Sequence, residues 1–122
     1  MQKVQRFEIW RKLYSLNDYR NEHFHKLNSI KREWANSTKL ACIWNKIEPV
    51  DKCQLSFVFV VPDRKRRDVD NYAATVKMVI DGLVAAEVLL DDSFDYVQKI
   101  EMTIVIQAKT QGVKVTIQEV EI

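Results

Sequence analysis

Two aspartates two positions apart, Asp68 and Asp70, stand directly behind four consecutive cations, Arg64, Lys65, Arg66 and Arg67. Lys77 follows seven residues after Asp70, and a double aspartate, Asp91 and Asp92, closes the next apolar stretch. Carboxylate oxygens are the ligands that a hard dication such as magnesium accepts, usually one or two from the protein beside waters and phosphate oxygens. A dication held that way activates water and stabilises the charge that builds on phosphorus. Arginine and lysine, for their part, neutralise the phosphates of a nucleic-acid backbone. The stretch 61–92, VPDRKRRDVDNYAATVKMVIDGLVAAEVLLDD, thus carries the residue types for metal-assisted work on a phosphodiester. Asp68, Asp70, Asp91 and Asp92 are the candidate Mg²⁺ ligands. Arg64, Lys65, Arg66 and Arg67 are the candidate DNA grip.

Every one of these residues also has a plainer account. Asp70 suits the N-cap of a helix, Asp68 can pair with the arginines beside it, and Asp91 with Asp92 can form a polar turn. Lys77 has Asp81 four residues on, the spacing of a helix-surface ion pair. The pattern DVDN brushes against a calcium loop, but the glycine and later ligands of an EF-hand are missing. What favours phosphate contact is the adjacency of the two features: carboxylates alone would repel DNA, and four cations directly before them offset that repulsion.

Charge is divided along the chain. The formal net charge is +2, yet residues 1–67 hold 15 Lys and Arg against 7 Asp and Glu, and residues 68–122 hold 4 against 10. A cationic first part and an acidic second part are expected of a protein that grips an anionic polymer and needs carboxylates at one spot on it.

At 122 residues, 47% apolar and 30% charged, the chain reads as one ordinary globular domain, short enough that a second copy would help to stabilise it. No apolar run approaches the roughly 20 residues of a membrane span, and MQKVQRFEIWRKLY lacks the apolar region of a signal peptide. The expectation is a cytoplasmic protein without a membrane partner. Cys42 and Cys53 match no metal-ligand spacing and are expected as free thiols. His23 and His25 have no third ligand beside them and are expected at the surface.

The elements that must position these groups follow from periodicity. Residues 3–13 have strand-like composition; Ser15 to Asp18 read as a turn, and the segment to His25 is unassigned. Leu27, Ile30, Trp34, Ala41 and Trp44 mark a helix over 27–46, stopped by Glu48-Pro49-Val50-Asp51. Cys53 to Val61 is apolar at every odd position and throughout from Phe57, as in a central strand buried on both faces. Tyr72, Val76, Val79, Ile80 and Leu83 mark a second helix over 71–86, with Asp70 as its expected N-cap. Unbroken, that helix sets Lys77 on nearly the same face as Asp70, about 10 Å along the axis. Residues 95–108 and 113–122 read as a closing hairpin through Thr110-Gln111-Gly112. The fold class is α+β: strand, helix, strand, helix, strand, strand, a mostly four-stranded mixed sheet packed with two helices. Trp10, Trp34 and Trp44 are expected in the core rather than at an interface.

PDRKRRDVDN, then a lysine four residues before an aspartate, then Leu89-Leu90-Asp91-Asp92-Ser93, resembles the RusA family of Holliday junction resolvases, small enzymes typical of phages and prophages. The likeness is clear over about 58–96 and fainter elsewhere; the proline-rich turn that the family often has near residues 16–20 is absent. The resemblance places the family's catalytic aspartates on Asp68, Asp70 and Asp92, which would hold Mg²⁺ with Asp91 in reserve, and it gives Lys77 the role of stabilising charge on the scissile phosphate or leaving oxygen. The family lysine often follows DxDN more closely, where Ala74 stands; Lys77 lies three residues further on, nearly one helical turn. The resemblance implies one RusA-like nuclease domain over 1–122: a Mg²⁺-dependent homodimer that binds four-way junctions and nicks two strands symmetrically in DNA recombination and repair. Two other readings stay open: a branched-DNA-binding module that does not cut, and a Mg²⁺ nuclease for other branched or flap DNA.

Overall fold

Cys53–Val61 forms the strand on which the sheet is built. In the computed structural model, which describes residues 3–120, the elements run β1 (Val4–Ile9), α1 (Leu16–Asn21), α2 (Phe24–Trp44), β2 (Cys53–Val61), a 3-10 turn (Val69–Tyr72), α3 (Ala73–Ala85), β3 (Val97–Ile106) and β4 (Gly112–Glu119). The four strands lie in the order β1-β4-β2-β3, with β2 parallel to β3 and β4 antiparallel to both β1 and β2. The expected α+β layout and mixed four-stranded sheet are therefore present.

The odd positions of β2, Cys53, Leu55, Phe57, Phe59 and Val61, are buried beneath the helices, facing Val113, Val115 and Ile117 of β4 across the ladder. Phe7 and Ile9 of β1 extend that face. Among the described residues no helix covers the opposite face: Gln54, Ser56 and Val58 are half-buried, and only Val60 of that set is fully enclosed. The expectation of a strand buried on both faces thus holds for one face.

The closing hairpin is not formed. β3 lies on the far side of β2 from β4, and residues 107–111 carry the chain over the end of β2 so that β4 inserts between β1 and β2. Gly112 reads as a turn residue in the sequence, yet its role is close approach: a Cβ there would lie 2.5 Å from the Ile9 carbonyl oxygen and 2.6 Å from the Trp10 ring. Only a residue without a side chain lets β4 dock at the end of β1.

The first strand is shorter than its composition suggests. β1 stops at Ile9, and the chain bends to bury Leu13 and Tyr14. The Leu13 amide donates to the Gln111 side chain at 2.6 Å, and Thr75 of α3 both accepts from the Tyr14 amide at 3.0 Å and donates to its carbonyl at 2.7 Å. The unassigned segment begins with α1, opened by a capping box in which Ser15 Oγ accepts from the Asp18 amide and the Asp18 carboxylate accepts from the Ser15 amide. His23 caps α2, its Nδ1 accepting from the His25 amide, and both histidines are exposed.

α2 turns Trp34, Thr38 and Cys42 inward, while Trp44 is 82% exposed. Ten residues at ~100° each put Trp44 about 80° away from Trp34 around the helix, which takes it off the buried face. Trp10 is also exposed, so of the three tryptophans only Trp34 lies in the core. Cys42 and Cys53 are free and buried, and burial pushes both thiols up to about 11. The last two residues of the expected final strand, 121–122, lie outside the described residues. Among the described residues no helix is long and apolar enough to cross a membrane.

Candidate active site

α3 decides where Lys77 points. Ala74, Thr75, Val76, Met78, Val79, Ile80, Gly82 and Leu83 are buried against the sheet and α2, which leaves Lys77 and Asp81 on the outer stripe one turn apart. Asp70 does not cap this helix. It sits inside the 3-10 turn that precedes α3, Asp68 occupies the cap position, and neither makes a side-chain capping bond there. A 3-10 turn winds at three residues per turn, so the path from Asp70 to Lys77 is rotated by about 60° relative to an unbroken α-helix and lengthened to about 12 Å. The two residues stay within a quarter turn of one another.

Lys77 reaches two carboxylates. Its Nζ lies 2.6 Å from Asp92 Oδ2 and 3.1 Å from Asp81 Oδ1. Asp92 arrives because the chain folds back after α3: the amides of Val88 and Leu89 both donate to the Leu83 carbonyl, Glu87 adopts a left-handed conformation with φ 62°, and Val88 and Leu89 are buried. The hydrogen bond from Lys77 holds the Asp92 carboxyl below its ordinary value, and the two carboxylates hold the ammonium above its own. The helix-surface pair with Asp81 and the long-range pair with Asp92 are both present, so the plain account of Lys77 is correct but incomplete.

The basic run forms the loop at the end of β2. Arg67 is folded inward, its guanidinium 2.9 Å from Asp63 Oδ1 and donating to the Asp63 and Lys65 carbonyls at 2.9 and 3.2 Å. Asp63 also accepts from the Lys65 amide at 3.1 Å, and these contacts hold its carboxyl below the ordinary value, the amide bond contributing most. Arg66 lies 4.0 Å from Asp68 with its side chain almost wholly exposed. Arg64 and the Lys65 ammonium are exposed and make no ion pair among the described residues. Arg67 thus shapes the loop, and Arg64, Lys65 and Arg66 are the members presented outward.

Asp68, Asp70, Asp91 and Asp92 are all exposed. Among the described residues no three Asp, Glu, His or Cys side chains stand together as a ready cage for a metal ion. In donor type the four aspartates fit magnesium, which needs only one or two protein carboxylates when phosphate oxygens and waters complete its octahedron. The structure joins Lys77 to Asp92 and Arg66 to Asp68 by direct ion pairs. One supporting residue did not stand out in the sequence: Asp63, a short side chain after a proline, which is a turn signal for its loop. Asp81, marked by its four-residue spacing from Lys77, shares that ammonium with Asp92.

No family model matches this chain, and no curated protein matches it.

Proposed function

We propose that the protein is a Mg²⁺-dependent, structure-specific endodeoxyribonuclease of the RusA type, which resolves four-way DNA junctions by paired nicks. The observation that carries this reading is the Lys77–Asp92 contact at 2.6 Å, which brings the lysine and the late aspartate of the resemblance together across fifteen residues of chain. The outward cations of the loop after β2 and the four exposed aspartates add the charge pattern that a phosphodiester substrate calls for.

In this reading Arg64, Lys65 and Arg66 hold the DNA backbone, with Arg67 and Asp63 keeping their loop in shape. Asp68, Asp70 and Asp92, with Asp91 beside them, would hold Mg²⁺, which supplies an activated water and charge stabilisation on phosphorus. Lys77 orients Asp92 before substrate binds and offers its ammonium to the charge that develops on the phosphate or leaving oxygen. Two symmetric nicks in a two-fold junction call for two symmetric sites, so the working form is a homodimer, and the setting is cytoplasmic.

Purified protein incubated with a synthetic four-way junction and with matched linear duplex, in Mg²⁺ and in EDTA, tests the proposal. Paired symmetric nicks in the junction alone, and only with metal, are expected. Tight junction binding without cuts would replace the enzyme by a branched-DNA-binding module, and cutting confined to flaps would move the substrate to other branched DNA.

A further inference from the structure

A cleft of about 290 Å³ lies between the basic loop and the end of the edge strand β3. Its floor is apolar, made by Val61, Val69, Ile104 and Ile106, and its rim carries Arg64 and Lys65. Val61 and Ile104 pack into the protein, but Val69 is 39% and Ile106 47% exposed, so the floor opens to solvent. Among the described residues Asp63 is the only carboxylate lining the cleft, and it is occupied by Arg67 and the Lys65 amide. That arrangement fixes the loop and leaves the rim with uncompensated positive charge.

An apolar floor under a cationic rim suits a ligand with a flat, weakly polar body and negative charge on either side. A nucleobase between two phosphates is such a group: apolar side chains and guanidinium planes pack on its face, and cations meet its backbone. The volume is close to the lower bound of about 300 Å³ for ligand pockets, which suits one base rather than several. A base within continuous duplex presents only its edge. The cleft therefore selects DNA that offers an unstacked base, as a branch point does.

We infer that this cleft takes a single unstacked DNA base, its face on Val69 and Ile106 and its flanking phosphates on Arg64 and Lys65. The inference rests on the nucleic-acid reading above and adds a physical source of preference for branched over linear DNA.

Fluorescence anisotropy of the full-length protein, in EDTA so that nothing is cut, compares a short thymidine oligonucleotide with one of equal length made of abasic sites. Both carry the same phosphate charge, so their difference isolates the base. The thymidine strand is expected to bind roughly fivefold or more tightly, and Val69→Ser and Ile106→Ser, both at open positions, should each erase most of that advantage. Methyl resonances of Val69 and Ile106 should shift with the thymidine strand and not with the abasic one. Equal binding of the two strands would overturn the base site and leave the nucleic-acid reading standing. A thymidine advantage that survives both substitutions would move the base elsewhere and overturn this location. Failure of either strand to bind, with a four-way junction also unbound, would overturn both readings.

Discussion

Lys77 and Asp92 meet at 2.6 Å on the outer side of α3, each at the surface and each held there by buried neighbours. Because the pair is exposed, it adds little to folding. Lys77→Met should therefore shift the thermal midpoint by only a few degrees, about 5 °C at most. In the proposed nuclease its cost falls on chemistry, since removal of one stabilising donor typically lowers turnover about a hundredfold. Single-turnover cleavage of a four-way junction beside a melting curve separates the two effects. A large fall in midpoint with residual cleavage per folded molecule unchanged would make Lys77 a structural residue only.

Protonation of this pair has a definite sign. Asp92 is held below the ordinary 3.8, first by its hydrogen bond from Lys77. A depressed acid contributes stability above its unfolded value, and that contribution is lost as pH falls through the folded value. Lys77 is raised above 10.5, first by Asp92 and then by Asp81. Its contribution is complete below 10.5 and is lost as pH rises through the higher folded value. The pair is thus intact across the neutral range. A carboxyl-carbon NMR titration should place Asp92 below 3.8 and return it towards that value in Lys77→Met. Salt should shrink the difference, since both groups face solvent. A titration unmoved by the substitution would assign the shift to another neighbour.

The parts of this fold that the sequence announces are those set by short-range periodicity. Nine residues with apolar odd positions mark β2, and Val76, Val79, Ile80 and Leu83 mark the inward face of α3, with Tyr72 at its N-cap; all five are buried. Alternation fixes which face a strand residue takes, but not which strand lies beside it. Hence the expected hairpin could not be told from a β4 that crosses β2 to pair with β1. Trp44 was drawn into the core by a spacing that drifts off the helix face over ten residues. In the site, the Asp81 partner of Lys77 was legible from four-residue spacing. The Asp92 partner depends on the fold-back at Glu87 to Leu89, for which no local pattern exists. Aspartate favours the cap position, which is why Asp70 reads as one; a 3-10 turn instead leads into α3, with Asp68 at the start of that turn and Tyr72 at the cap of α3.

The start of α3 is anchored by a single hydroxyl. Thr75 Oγ1 is fully buried, accepting from the Tyr14 amide and donating to the Tyr14 carbonyl, so one side chain serves both backbone groups of a strand-less segment. Thr75→Val keeps the shape and removes both bonds. The stranded amide and carbonyl should cost about 1–3 kcal/mol each. Thr75→Ser keeps both bonds and loses one methyl, for about 0.8 kcal/mol. Urea denaturation of the two variants should therefore rank valine below serine. The opposite order would mean that the methyl contact outweighs the hydrogen bonds.

α2 and α3 approach closely where Gly82 faces Thr38. A Cβ at position 82 would lie 2.6 Å from Thr38 Cβ and 3.0 Å from both of its γ atoms. Thr38 is fully buried and its hydroxyl donates to the Trp34 carbonyl at 2.8 Å, so it has no room to swing away. Helix propensity alone argues that Gly82→Ala should stabilise α3 by about 1 kcal/mol. Overpacking of a tight helix contact costs about 1–3 kcal/mol, and here the obstructing atom is a β-carbon attached to backbone, so the helices themselves must move. The net effect should be destabilising, seen as a lower urea midpoint with an unchanged slope. Thr38→Ser removes only Cγ2 and leaves the 2.6 Å Cβ contact, so it should not rescue the alanine variant. A more stable Gly82→Ala protein would show that α2 can separate from α3 at little cost and that this contact does not fix the position of Lys77, one and a half turns earlier on the same helix.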